Sequence, residues 1–316
     1  MTSTFVPGAR LAGLVSCVSL IVSVVSSTGV AAQTGPAANW TTVAAPAELN
    51  VPGAQWIKVN GRDGHNFLAA VLRPQGAGPF PVVVVLHGAS GLQPGHLALA
   101  DEVARAGFLV VVGCWQFVAS PPAPVPNPIC SEAPPQAAWQ ADPAANSGKE
   151  LISAARTLPG ARPERVGLYG ISRGGHAALF AASTGASVQA IVGDAPAHLP
   201  LRVKPAPPST QEVIAGLAAP VLLLHGTADP VVPVEQSREY ERAARALRKS
   251  VTAVYFEGVG HVVTFAPTPP AGQPGEPEPL AHARRGAQAE ARQKAIAFLR
   301  EHLQESVAVP TQPVSR

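Results

Sequence analysis

Three residues in this chain have the types and surroundings for nucleophilic catalysis: Ser172, Asp229 and His261. A serine hydroxyl is a poor nucleophile at neutral pH. It needs a base to take its proton and a third group to orient that base. Ser172 stands in Gly170-Ile171-Ser172-Arg173-Gly174, a G-x-S-x-G pattern. An apolar run at 166–169 precedes it, and a helical stretch at 176–184 follows and stops at Gly185. Strand, sharp turn and helix are the context in which this pattern becomes a nucleophile elbow, with the serine at the tip of a parallel sheet. Strand and helix approach so closely there that the flanking positions must be glycine.

The other two residues also follow strands. Asp229 closes His225-Gly226-Thr227-Ala228-Asp229-Pro230 after an apolar run at 221–224. His261 closes Glu257-Gly258-Val259-Gly260-His261 after a run at 251–256. Parallel strands would bring all three to one sheet edge. Asp194 also follows a strand and is the alternative acid; Asp229 is preferred because Gly226 and Pro230 shape a tight turn around it. The remaining histidines read as structural: His225 at a strand end, His176 packing or capping the elbow helix, His87 holding its own loop, and His282 with no strand to place it. An oxyanion also needs donors. The backbone N–H groups of Arg173, next to the nucleophile, and Ala89, in His87-Gly88-Ala89-Ser90-Gly91, are the candidates.

The positioning elements read as an α/β domain. Strands are expected at 55–59, 65–72, 82–86, 108–112, 166–169, 188–192, 221–224 and 251–256, and helices at 97–106, 150–158, 176–184, 234–249 and 280–303. The four consecutive valines at 82–85 mark a strand buried on both faces. The first two strands flank a turn at 60–64 and make a hairpin; the rest alternate with helices, the pattern of a mostly parallel sheet. Residues 195–219 form a short, proline-containing connection, too short for a large cap domain. Two proline-rich loops, 114–147 and 266–280, would wall the pocket, with Trp115 nearest the site. Ser147-Gly148-Lys149 lacks the leading glycine of a phosphate loop and is set aside.

The chain has 316 residues, 47% hydrophobic and 14% charged, enough for one large core. A net charge of +3 is too small to point to nucleic acid, and the arginines at 238–249 and 284–300 fall at helical spacing among Glu and Ala. Residues 11–25 are apolar or small, follow a single Arg10 and precede Val30-Ala31-Ala32. This reads as a signal peptide cleaved after Ala32, and hence a secreted or periplasmic protein with no stable membrane span. Lipidation at Cys17 is the lesser alternative, because apolar sequence continues past it. Residues 33–50 read as a flexible leader, 51–305 as the domain and 306–316 as a flexible tail. The two cysteines left, Cys114 and Cys130, form an even pair suited to a disulfide in an oxidising compartment. No ligand spacing suggests a metal.

Asp63-Gly64, the stretch from Arg73-Pro74 to His87-Gly88, Gly170-Ile171-Ser172-Arg173-Gly174-Gly175, His225-Gly226-Thr227-Ala228-Asp229 and Gly260-His261 together resemble the dienelactone hydrolase family of α/β-hydrolases, over roughly residues 55–303. The resemblance implies an eight-stranded, mostly parallel sheet flanked by helices. It also implies cofactor-free hydrolysis of an ester or related acyl bond. The namesake enzyme carries cysteine at the nucleophile where this chain has Ser172, which shifts the expectation from lactones toward a serine esterase acting on small-molecule or polymeric esters. A prolyl-oligopeptidase-like peptidase and a catalytically silent binding protein are the rivals. The oligomeric state stays open.

Overall fold

The computed structural model describes residues 38–49, 51–61, 64–116, 128–131, 141–198, 209–266, 268 and 274–304, with 128 and 141–145 by backbone only. The expected signal peptide, Cys17 and the tail lie outside these residues. Nine strands form one sheet in the order β1-β2-β3-β5-β4-β6-β7-β8-β9. At its centre lies β4, Phe80–Leu86, whose valines are all fully buried. Each such side chain contributes roughly 1.5–3 kcal/mol by leaving water. β4 runs parallel to β5 (Leu109–Gly113) on one side and to β6 (Ala161–Ile171) on the other. β7 (Ala190–Asp194), β8 (Val221–Gly226) and β9 (Val251–Phe256) continue the parallel half. β2 (Gln55–Asn60) and β3 (Asn66–Leu72) pair antiparallel, and β3 pairs antiparallel with β5.

The ninth strand corrects the expectation of eight, and it lies in the stretch expected to be a loose leader. β1, Trp40–Val43, pairs antiparallel with β2 from Trp40↔Val59 to Val43↔Trp56. Its sequence, Trp-Thr-Thr-Val, is aromatic and β-branched, which suits a pleated edge. The Trp40 indole also donates to Thr157 Oγ1 at 2.9 Å. No residue of β1 is fully buried, so it lacks the apolar alternation that would betray a strand.

α1 (Pro94–Arg105) and α6 (Glu278–Leu303) share one face of the sheet, joined by an Arg292–Glu102 ion pair at 2.8 Å. α2 (Ala141–Arg156) and α3 (Arg173–Ser183) lie on the other, with α5 (Glu235–Leu247) held to α3 by His176 and Tyr240. Ser147-Gly148-Lys149 falls inside α2. There the bare Gly148 lets α2 approach α3, since a Cβ would already lie 3.3 Å from that of Ala181. The connection after β7 holds an unexpected helix, α4 (Thr210–Gly216). Its signal was legible: Ser209 and Glu212 form a capping box, in which Ser209 Oγ accepts from Glu212 N–H at 3.3 Å and Glu212 Oε2 accepts from Ser209 N–H at 2.8 Å. Among the described residues no helix is long and apolar enough to cross a membrane.

Candidate active site

Ser172 joins β6 to α3 with φ 54° and ψ −117°, a region that costs a non-glycine residue about 1–3 kcal/mol. Glycine is required on both sides. A Cβ on Gly170 would be built into the Gly174 carbonyl, and one on Gly174 into the Leu86 carbonyl. The turn is braced by Ser172 N–H donating to the Asp194 carbonyl at 2.8 Å, and by the Ser172 carbonyl accepting from Gly175 and Ala197 N–H at 2.9 Å. Arg173 opens α3, at the positive end of that helix. The loop carrying Ala89 passes close by: a Cβ on Gly88 would lie 3.3 Å from Ser172 Cβ.

Asp229 and His261 are brought together. His261 donates Nδ1–H to Asp229 Oδ2 at 2.7 Å, which leaves its Nε2 as the ring's basic nitrogen. Asp229 Oδ1 accepts Val231 and Val232 N–H at 2.8 Å each, so a tight turn of its own orients the carboxylate. Burial pushes the Asp229 carboxyl up, but hydrogen bonds from His225 and His261 outweigh it. They hold Asp229 well below the usual carboxylate range. No hydrogen bond joins Ser172 Oγ to His261; such bonds often tighten only when substrate is bound.

Asp194, the alternative acid, makes no hydrogen bond to a histidine among the described residues. Its carboxylate accepts Val263 N–H at 3.0 Å, Thr264 N–H at 2.9 Å and the Thr264 hydroxyl at 2.6 Å. It thus fixes the loop that follows His261. From the other side comes Arg284 of α6, 3% exposed and paired with Glu276. Arg284 donates Nε–H to the Val262 carbonyl at 2.7 Å and Nη2–H to the His261 carbonyl at 3.0 Å. Sequence reasoning missed Arg284 and Glu276, because nothing local ties a mid-helix arginine to a loop 22 residues earlier. His176 packs as expected, 2.8 Å from Tyr240 Oη and stacked on His198. His282 is exposed on α6.

Cys114 and Cys130 are joined in a disulfide, with Cα atoms 5.1 Å apart. Trp115 differs from expectation. At 1% exposure it is not an open pocket wall but a prop, donating its indole N–H to the His87 carbonyl at 2.9 Å. A bulky aromatic next to a buried strand end is most stable packed under the neighbouring loop. His87 in turn donates Nδ1–H to the Gly88 carbonyl at 2.7 Å, as expected of a loop-holding residue. Burial pushes its imidazole down to about 4. The ligand atoms of His87, Cys114 and Cys130 lie within 4.8 Å of one another, but the disulfide occupies both sulfurs.

An elbow serine, a carboxylate-paired histidine and a glycine-rich loop after β4, all at the C-terminal ends of parallel strands, invite comparison with known hydrolases. A Bradyrhizobium protein described as a 2-oxo-3-(5-oxofuran-2-ylidene)propanoate lactonase is 26% identical over 210 residues, covering 65% of this chain and 82% of the relative. A Methylorubrum extorquens protein described as a carboxymethylenebutenolidase is 27% identical over 263 residues, covering 76% and 82%. In fold, the crystal structure of a Klebsiella pneumoniae protein described as a dienelactone hydrolase superposes with a TM-score of 0.61 at 20% identity, covering 79% of this chain and 98% of that one. The sequence profile of the dienelactone hydrolase family matches residues 67–303, from β3 to the last turn of α6, and this hydrolase is a member of that family.

Proposed function

We propose that the chain is an exported serine hydrolase that cleaves carboxylic esters through an acyl-enzyme, with no cofactor. The observation that carries this reading is the 2.7 Å Asp229–His261 pair, on the same sheet edge as the strained Ser172. His261 Nε2 takes the Ser172 proton as Oγ attacks the ester carbonyl, and Asp229 stabilises the imidazolium that forms. The developing oxyanion sits between the Ala89 and Arg173 N–H groups. His261 then gives its proton to the leaving alkoxide, and the same base activates water to release the acid. The two curated relatives are described by lactone-opening names, and a lactone is a cyclic ester, so the same steps apply to either substrate geometry. The substrate is a small-molecule or polymeric ester. Export is supported by the Cys114–Cys130 disulfide together with the apolar run at 11–25, cleaved near Ala32.

A fluorophosphonate probe should label the wild-type protein and not Ser172→Ala. The same pair should be run on p-nitrophenyl esters and on aminoacyl-nitroanilides. Faster turnover of the esters, lost in the mutant by a factor of order 10⁴–10⁶, is expected. Preference for the anilides would favour the peptidase reading, and absence of labelling the silent one.

A further inference from the structure

Asp229 Oδ2 is shared by two imidazoles. His261 Nδ1 approaches it at 2.7 Å, and His225 Nε2 at 3.2 Å. The His225 ring is fully buried at the end of β8. Its Nε2 also lies 3.0 Å from the Val232 carbonyl, and its Nδ1 lies 2.7 Å from Ser237 Oγ on α5. These contacts determine the proton. Nε2 faces only acceptors, a carboxylate and a carbonyl, so it must carry hydrogen. In the neutral ring Nδ1 then accepts, and the Ser237 hydroxyl donates to it.

We infer that His225, held in one tautomer by the two acceptors at its Nε2 and braced at Nδ1 by Ser237, is a positioning residue that acts on His261 through the Asp229 carboxylate. This rests on the serine hydrolase reading above. One Oδ2 lone pair is committed to His225, which leaves the other aimed at His261. The His225 N–H also draws charge from Oδ2. It therefore weakens the pull of Asp229 on the His261 imidazolium. The ionisable groups on the elements packed around this cluster are engaged elsewhere. Asp194 of β7 binds Val263 and Thr264. Tyr255 of β9, beside His225 in the sheet, donates to Glu241 under Arg238. Tyr240 of α5 pairs with His176 of α3, and Glu239 acts on His198 and Tyr240. Arg284 of α6 pairs with Glu276.

The test is the pH profile of kcat/KM for ester hydrolysis, with fluorophosphonate labelling alongside. His225→Leu removes the donor, and the acid limb should move to higher pH by about half a unit or more, since the carboxylate recovers charge toward His261. kcat should fall with KM little changed. His225→Gln, whose amide nitrogen can stand where Nε2 stands, should return the limb toward its wild-type position. Ser237→Ala, a small change that keeps the ring, should displace the limb in the same direction but less, and it provides the reading if His225→Leu does not fold. An acid limb unmoved in Ser237→Ala and in any folded His225→Leu would overturn the inference, whatever happens to kcat. So would a His225→Gln limb equal to that of His225→Leu. Failure of the underlying reading looks different: the wild-type protein itself would then show no Ser172-dependent turnover.

Discussion

Asp194 and Asp229 are both buried carboxylates at strand ends, and exchanging each for asparagine separates their roles. The Asp194 carboxylate accepts three hydrogen bonds, from Val263 N–H, Thr264 N–H and the Thr264 hydroxyl. An amide keeps one acceptor oxygen and turns an N–H₂ group toward a backbone N–H. Each bond also loses its charge assistance, a difference of about 1 kcal/mol per bond. Three bonds give a loss of about 3 kcal/mol for Asp194→Asn. For a domain of this size that lowers Tm by roughly 6–12 °C, at about 2–4 °C per kcal/mol. Activity should fall much less, because the Asp229–His261 bond survives. Asp229→Asn should do the reverse. The amide disturbs the His261 tautomer, and a loss in kcat of order 10⁴ is expected, with a smaller change in Tm. The assay is calorimetry beside ester kinetics on both variants. Asp194→Asn losing activity 10⁴-fold at unchanged Tm, with Asp229→Asn near normal, would move the acid to Asp194 and refute the reasoning.

Two further outcomes are expected. The Cys114–Cys130 bridge closes a sequence separation of 16 residues, for which chain entropy gives on the order of 3 kcal/mol. Mass spectrometry after non-reducing digestion should recover the linked peptides, and two free thiols in protein from its native compartment would contradict the bond. Stability should also fall early in acid. Burial holds His87 down to about 4 and His96 and His176 down to about 3, against 6.5 for a free imidazole. The unfolded chain therefore takes up these protons first. The stabilisation is complete above pH 6.5 and declines as pH falls toward 4 and then 3. Urea melts that stay flat from pH 7 to pH 4.5 would refute this.

What was legible in the sequence was whatever local pattern dictates. Four valines in a row can only be a strand buried on both faces, and β4 lies at the centre of the sheet. The elbow was legible because two glycines flank a serine between an apolar run and a helix. The Cys114–Cys130 pair was legible from an even count. Elements stabilised by distant partners were not. β1 is polar and half-exposed, and only pairing with β2 makes it a strand. Trp115 could be placed near the site by position but not given its role, because whether an aromatic walls a cleft or props a loop depends on what packs over it. His225 was read as structural at a strand end, and only the 3.2 Å contact with Asp229 turns it toward the chemistry.

The backbone strain of the site leads to Asp194. Four non-glycine residues among those described have positive φ, and three of them, Ser172, Ala195 and Val262, surround the site; the fourth, Arg248, caps α5. Each costs about 1–3 kcal/mol and persists only where its surroundings leave no alternative. Asp194 supplies those surroundings from both ends of one residue. Its carbonyl accepts Ser172 N–H at 2.8 Å and so pins the Ser172 turn. Its carboxylate binds Val263 and Thr264 N–H, directly beyond Val262, and so pins the turn that follows His261. Ala195, next in the chain, is held by its N–H to the Leu224 carbonyl of β8. The serine turn and the histidine turn, 89 residues apart in sequence, are therefore referred to one fixed point at the end of β7. This is why a carboxylate outside the proposed triad is buried without a histidine partner. It also explains why a strand-end aspartate can look like a catalytic acid in sequence: both kinds need burial at the same sheet edge, and only the groups facing the carboxylate tell them apart.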